Sequence, residues 1–184
     1  MADLPFGSYQ GSVAEALHTA FRFMKDASAQ AVKLEGGRGV VPQVEAIVQA
    51  GIPVMGHLGL TPQSVHALGG HSVQGRGDAG GILLDDAHAL QDAGAFAVVL
   101  EAVPAELGAK VSEELAIPTI GIGAGVGCDA QILVWQDMLG LTPAKVPKFV
   151  KKYADLQSII AQSARSYVSE VRSGAFPDEQ HSYR

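Results

Sequence analysis

Cysteine is nearly absent from this chain. One thiol, Cys128, among 184 residues leaves no internal disulfide framework, and such usage suits a reducing compartment. Aromatic residues are few as well, at 6%. No apolar stretch approaches the roughly 18 residues of a membrane span. The opening "MADLPFGSYQ" holds an acid and a proline and lacks a basic-then-apolar signal pattern. A basic stripe of the kind that binds nucleic acid is missing too, and the formal net charge is −6. The densest basic run, Lys145, Lys148, Lys151 and Lys152, reads as a solvated helix face. These absences make the cytoplasm the default location and leave no expected role for nucleic acid or membrane.

Material for a core is ample, since 47% of residues are hydrophobic. The length favours one domain over residues 1–184. Short apolar runs alternate with helical patterns. Strands are expected near Asp3 and over 31–36, 53–58, 96–102, 118–123 and 131–139. Helices are expected over 42–51, 79–94, 104–115 and 155–174, with Pro42 in a first turn and Gly51, Gly94 and Gly174 as stops. "SVAE" at Ser12 to Glu15 has capping-box spacing, and Val13, Leu17, Phe21 and Met24 then follow one helix face. "AGIPVMG" (50–56) and "LAIPTIG" (115–121) echo each other as helix end, Ile-Pro, apolar pair and glycine. Strands alternating with helices argue for parallel α/β packing, with chemistry at the carboxyl ends of the strands.

At those ends stand Asp3, Lys33, Glu35, His57 and Glu101. Lys33 and Glu35 are two apart, so they project to one face of a strand. Carboxylates with few sulfur or histidine partners suit a hard cation such as Mg²⁺. Such an ion would polarise an α-keto acid's ketone, and an unligated carboxylate would take the neighbouring proton. Each residue also has a plainer reading. Asp3 is a solvated end residue, Lys33 and Glu35 form a partly exposed ion pair, and His57 is a satisfied loop histidine. Glu101 closing "FAVVL" is costly to bury without a task or a partner. "GIGAGVG" (121–127) lacks the lysine of a phosphate loop. Trp135 and Cys128 read as packing residues.

"ADLPF", "VKLEGG", "GHLGLTPQSV", "VQGRG", "VLEAVP", "IPTIGIGAG" and the closing "HSY" occur in order along the chain. Together they resemble the ketopantoate hydroxymethyltransferase family. The resemblance implies a (β/α)₈ TIM barrel, an α/β fold. It implies transfer of a one-carbon unit from 5,10-methylenetetrahydrofolate to 3-methyl-2-oxobutanoate, giving 2-dehydropantoate. Under it, Asp3 is a Mg²⁺ ligand that also lies against the substrate. Lys33 holds the substrate, Glu35 belongs to the metal site, and Glu101 is the proton acceptor. His57 lines the site. Family members assemble as homo-oligomers, typically decamers.

Such a barrel typically needs about 250 residues. Against the family pattern the first two β/α units are missing, and so is a "GDS" segment whose aspartate is a further Mg²⁺ ligand. An incomplete barrel, weakened metal binding and unpaired strand edges are therefore expected. Two other functions fit the residues: a metal-dependent lyase of α-keto acids on a related barrel, and a non-catalytic remnant that joins complete copies.

Overall fold

The computed structural model describes residues 1–143 and 146–184; Lys145 of the basic run lies outside the described residues. The chain divides into two compact units, Met1–Ile132 and Leu133–Arg184, where the sequence suggests one domain.

The first unit holds six parallel strands, β1 (Ala2–Asp3), β2 (Val32–Glu35), β3 (Val54–Gly59), β4 (Ala97–Glu101), β5 (Thr119–Ile122) and β6 (Ala130–Gln131). They lie side by side in chain order. Helix α1 (Val13–Asp26) links β1 to β2, α2 (Val41–Gln49) links β2 to β3, α3 (Ala79–Asp92) links β3 to β4, and α4 (Ala105–Glu114) links β4 to β5. Parallel neighbours in sequence order, β1 to β5 joined through helices and β5 to β6 through a loop, follow the winding of a (β/α)₈ barrel. The strands form an open part of one: β1 and β6 are its edges, and no strand among the described residues pairs with their outer sides.

Alternation divides the strand residues between two faces. Val32, Leu34, Val54, Leu58, Val98 and Leu100 join a core with Val44 and Ile47 of α2 and with Leu83, Ala87 and Leu90 of α3. Gly56 is on this face, and a Cβ there would stand 2.7 Å from Leu90 Cδ1. The opposite face is ordered in rows by the strand register. Asp3, Lys33, Met55 and Ala97 form one row, Glu35, His57, Val99 and Ile120 the next, and Gly59, Glu101 and Ile122 the last. The polar residues thus gather at the carboxyl ends, where the sheet is no longer filled by packing side chains.

The punctuation read in the sequence sets the helix ends. Ser12 caps α1 by accepting the Glu15 N–H at 3.1 Å. Gly51 (φ +84°) and Gly94 (φ +93°) follow α2 and α3 in the left-handed region that glycine allows. The buried stripe of α1 differs from expectation. Ala16 and Ala20 are its buried residues, while Val13 and Phe21 are exposed; small side chains suit the close packing of this helix against α2.

The strand expected over 131–139 is also different. Its first residue belongs to the two-residue β6, and Trp135–Met138 form a short helix, α5, in the second unit. Ile132, Val134 and Trp135 are all exposed, so this apolar run has no buried alternate face. Trp135 is therefore not a packing residue, whereas Cys128 is buried. The second unit also holds α6 (Leu156–Ser173), capped by Asp155 and ended by Gly174 in the left-handed region. Beyond it Asp178 accepts the N–H groups of Gln180 and His181. Lys148, Lys151 and Lys152 lie in irregular chain and not on the helix face expected for them. Among the described residues no helix is long and apolar enough to cross a membrane.

Candidate active site

Five strand-end residues, brought out by period and position in the sequence, meet on the row-ordered face. Asp3 and Lys33 are partners in the β1–β2 ladder, and Lys33 Nζ is 2.7 Å from Asp3 Oδ1. Lysine 33 also approaches His57, with Nζ 3.3 Å from Nδ1. Glu35 and His57 are partners in the β2–β3 ladder, and Glu35 Oε1 is 3.6 Å from the same Nδ1. On the far side of the ring, Nε2 is 3.2 Å from Glu101 Oε2. Asp3, Lys33, Glu35 and Glu101 thus surround one imidazole or its immediate partner. The lysine's salt bridge is with Asp3, not with Glu35 as an isolated Lys-x-Glu pair suggests.

Burial grades sharply across this group. His57 is 4% exposed and Glu35 8%, while the Asp3 side chain is 61% exposed. The site therefore opens at the β1 edge and closes towards β3. Three carboxylates face one ammonium. With the ring neutral, two negative charges are left over.

The protons can be assigned from the partners. An ammonium only donates, so the Lys33 contact calls for a lone pair on Nδ1. Lys33 at 3.3 Å is nearer to Nδ1 than Glu35 at 3.6 Å, so the ring proton is assigned to Nε2, facing Glu101. Yet Nε2 is buried with no hydrogen-bond partner, because the 3.2 Å approach to Glu101 is poorly directed. A buried polar atom left so costs about 1–3 kcal/mol. Burial opposes charge on the ring, but Glu101 and Glu35 outweigh it and raise the His57 pKa above its ordinary value. Burial likewise pushes the Glu35 carboxyl up. His57, the Gln63 N–H and Lys33 more than reverse this and leave its pKa lowered.

Two residues that sequence period cannot single out hold Glu35 in place. Gln63 donates its backbone N–H to Glu35 Oε2 at 2.9 Å, and its side-chain amide to the Leu4 carbonyl at 2.9 Å. Tyr9, 1% exposed, accepts the Glu35 backbone N–H at 3.2 Å and donates to Gln63 Oε1 at 2.9 Å. Gln63 lies within the "GHLGLTPQS" stretch. That stretch was the available signal, but no spacing rule ties it to Glu35. Beyond the ends of β2 and β3 a cavity of about 310 Å³ is lined by Gly36, Gly59, Thr61, Gln74 and Asp86 among others. A larger groove of about 680 Å³ runs along α6 and takes in none of the five residues.

The donor set can be tested against a divalent cation. Among the described residues no three His, Cys, Asp or Glu side chains converge as a ready metal cage. Two hard carboxylates with leftover negative charge nevertheless suit Mg²⁺, which keeps several waters and takes one or two protein carboxylates. The donors fit that ion in kind, with the Lys33 ammonium as a competitor for Asp3.

A sequence model of the family described as ketopantoate hydroxymethyltransferase matches residues 1–179. A protein of Frankia casuarinae named 3-methyl-2-oxobutanoate hydroxymethyltransferase is 64% identical over 183 residues, covering 100% of this chain and 62% of the relative. One of the same name from Frankia alni is 63% identical over 183 residues and is covered to 60%. This chain therefore spans about three fifths of the length of those relatives. A solved isomerase of Streptomyces coelicolor A3(2) aligns with 65% of this chain and 32% of its own, at 21% identity and a TM-score of 0.42. With a family match that runs from Met1 almost to its last residue, the chain belongs to the ketopantoate hydroxymethyltransferase family.

Proposed function

We propose that this chain carries the proton-abstracting, keto-acid-binding face of a 3-methyl-2-oxobutanoate hydroxymethyltransferase of the cytoplasm. The observation that carries the reading is the convergence of Asp3, Lys33, Glu35 and Glu101 around His57 at the carboxyl ends of β1 to β4. The names of the relatives supply the reaction class.

In this reading Asp3 and Glu35 hold Mg²⁺. Bound there, the ion supplies Lewis-acid polarisation of the ketone. Lys33 places its ammonium against the substrate's anionic oxygens, released from Asp3 for that purpose. Glu101 takes the proton from C3 of 3-methyl-2-oxobutanoate. The electron pair of the broken C–H bond becomes the enolate and then forms the new C–C bond to the methylene carbon of 5,10-methylenetetrahydrofolate. The two C–N bonds of that carbon break, water supplies the hydroxyl that it then carries, and tetrahydrofolate leaves with the C3 proton and one water proton on its two nitrogens. General-base help of this kind is worth about 10²–10⁴ in rate. Assembly as a homo-oligomer belongs to the same reading.

The test is solvent exchange. Incubation with Mg²⁺ and 3-methyl-2-oxobutanoate in D₂O should replace the C3 proton, followed by NMR, without any folate. Glu101→Gln should slow this by about 10²–10⁴. Absence of exchange, both in this chain and in one extended to its relatives' length, would reject the assignment.

A further inference from the structure

His57 has a place in the site but no part in the chemistry above. Three features set it apart. It is buried between β2 and β4 at a position whose register partners are Glu35 and Val99. Both of its ring nitrogens face charged side chains, Lys33 and Glu35 at Nδ1 and Glu101 at Nε2. Its Nε2 is a buried polar atom without a hydrogen-bond partner, 3.2 Å from the carboxylate assigned as base.

We propose that His57 is the positioning residue of Glu101: Lys33 fixes the ring with its proton on Nε2, and that N–H aims the Glu101 carboxylate at the substrate. The proposal rests on the reading of Glu101 as base. Glu101 reaches His57 diagonally, because its own ladder partner is Gly59, which has no side chain to hold it. A carboxylate with 16% of its side chain exposed would otherwise have several rotamers open to it. Contacts between catalytic groups are often loose without substrate and tighten on binding. Lysine 33 thereby has a second duty. Its donation to Nδ1 selects the tautomer, as a partner on one ring nitrogen sets the other. Asp3, Lys33, His57 and Glu101 form a chain of contacts that couples the substrate-holding end to the proton-taking end.

Two amide substitutions separate this role from packing. The amide of glutamine reaches the position of Nε2, whereas that of asparagine reaches only Nδ1. His57→Asn should lower C3-proton exchange at saturating keto acid by about 10²-fold, the scale of a misplaced catalytic group, with KM unchanged. His57→Gln should recover about a tenth or more of the parent rate. Equal losses in both variants, or losses that appear in KM alone, would overturn the proposal. A second measurement needs no turnover. Long-range ¹H–¹⁵N NMR of the labelled chain, with His57 identified by its absence in His57→Gln, reads the ring directly at a pH where it is neutral. The proton should sit on Nε2, and Lys33→Met should shift it towards Nδ1. A proton on Nδ1 in the parent, or a ring spectrum indifferent to Lys33→Met, would overturn it. Should neither the parent nor the chain extended to its relatives' length show exchange, the assignment of function fails, while the ring spectra still decide the tautomer that Lys33 sets on His57.

Discussion

Gly59 stands opposite Glu101 in the β3–β4 ladder, at φ +88°, and a Cβ on it would lie 2.1 Å from the Glu101 carbonyl oxygen. That oxygen accepts the Leu60 N–H at 2.8 Å. The strand end that carries Glu101, the proposed base, is thus fixed by a position only glycine fills. Gly59→Ala should cost about 1–3 kcal/mol through backbone strain, with further loss from the clash. Urea denaturation would measure it, and C3-proton exchange should fall alongside. An unchanged midpoint would show that the two strands part more easily than their register implies.

Lys33 separates binding from stability. Its own side chain is 14% exposed but that of its partner Asp3 is 61% exposed, so solvent screens the pair from the Asp3 side and it contributes no more than about 1 kcal/mol. A hydrogen bond from an ammonium to a substrate carboxylate is worth about 1.5–3 kcal/mol. Lys33→Met should therefore weaken 3-methyl-2-oxobutanoate binding by about 10- to 100-fold in calorimetric titration, the range that energy gives. The melting temperature should move little. A large loss of stability with intact affinity would make the lysine a structural residue.

What the sequence makes legible here follows from where local rules decide. Ser12, Gly51, Gly94 and Gly174 mark helix boundaries because capping and left-handed turns are local requirements. The alternation of Lys33 and Glu35 places both on one face, and both approach His57. The support given to Glu35 by Tyr9 and Gln63 was not legible. Those contacts span 26 and 28 residues, and no periodicity reports them. The apolar run after Ala130 misleads for a different reason. Hydrophobicity without alternation fits strand or helix equally, and in the structure Ile132, Val134 and Trp135 are exposed. On α1, large apolar residues outrank Ala16 and Ala20 in any hydrophobic pattern, yet close packing against α2 suits the small ones.

Mg²⁺ gives a prediction that needs no catalysis. A ligand that binds only the folded chain stabilises it by mass action, about 2.7 kcal/mol at a hundred times its Kd. Added Mg²⁺ should raise the melting temperature of this chain in a saturable way. Glu35→Gln keeps an oxygen to accept the Gln63 N–H, now 2.9 Å from Oε2, while removing the charge. The variant should fold and lose most of the Mg²⁺ shift. An equal shift in parent and variant would place the ion elsewhere.

Asp129 offers a test by pH, well apart in sequence from the acids of the site. Its Oδ2 accepts the Thr119 N–H at 2.8 Å and the Thr119 hydroxyl at 2.9 Å. These bonds, that to the backbone first, hold its pKa below the ordinary value. Thr119 is fully buried and also meets Ser112 of α4, with 2.5 Å between hydroxyl oxygens, so the carboxylate ties the start of β5 to the chain after it. A carboxylate whose folded pKa is depressed stabilises the protein above the unfolded value, about 3.9, and loses that contribution as pH falls through the folded value. Asp129→Asn cannot titrate. The stability gap between parent and variant in urea should hold steady from neutral pH down to about pH 5 and close below about pH 4. A gap of constant size across that range would mean that the oxygen's geometry, and not its charge, secures the strand.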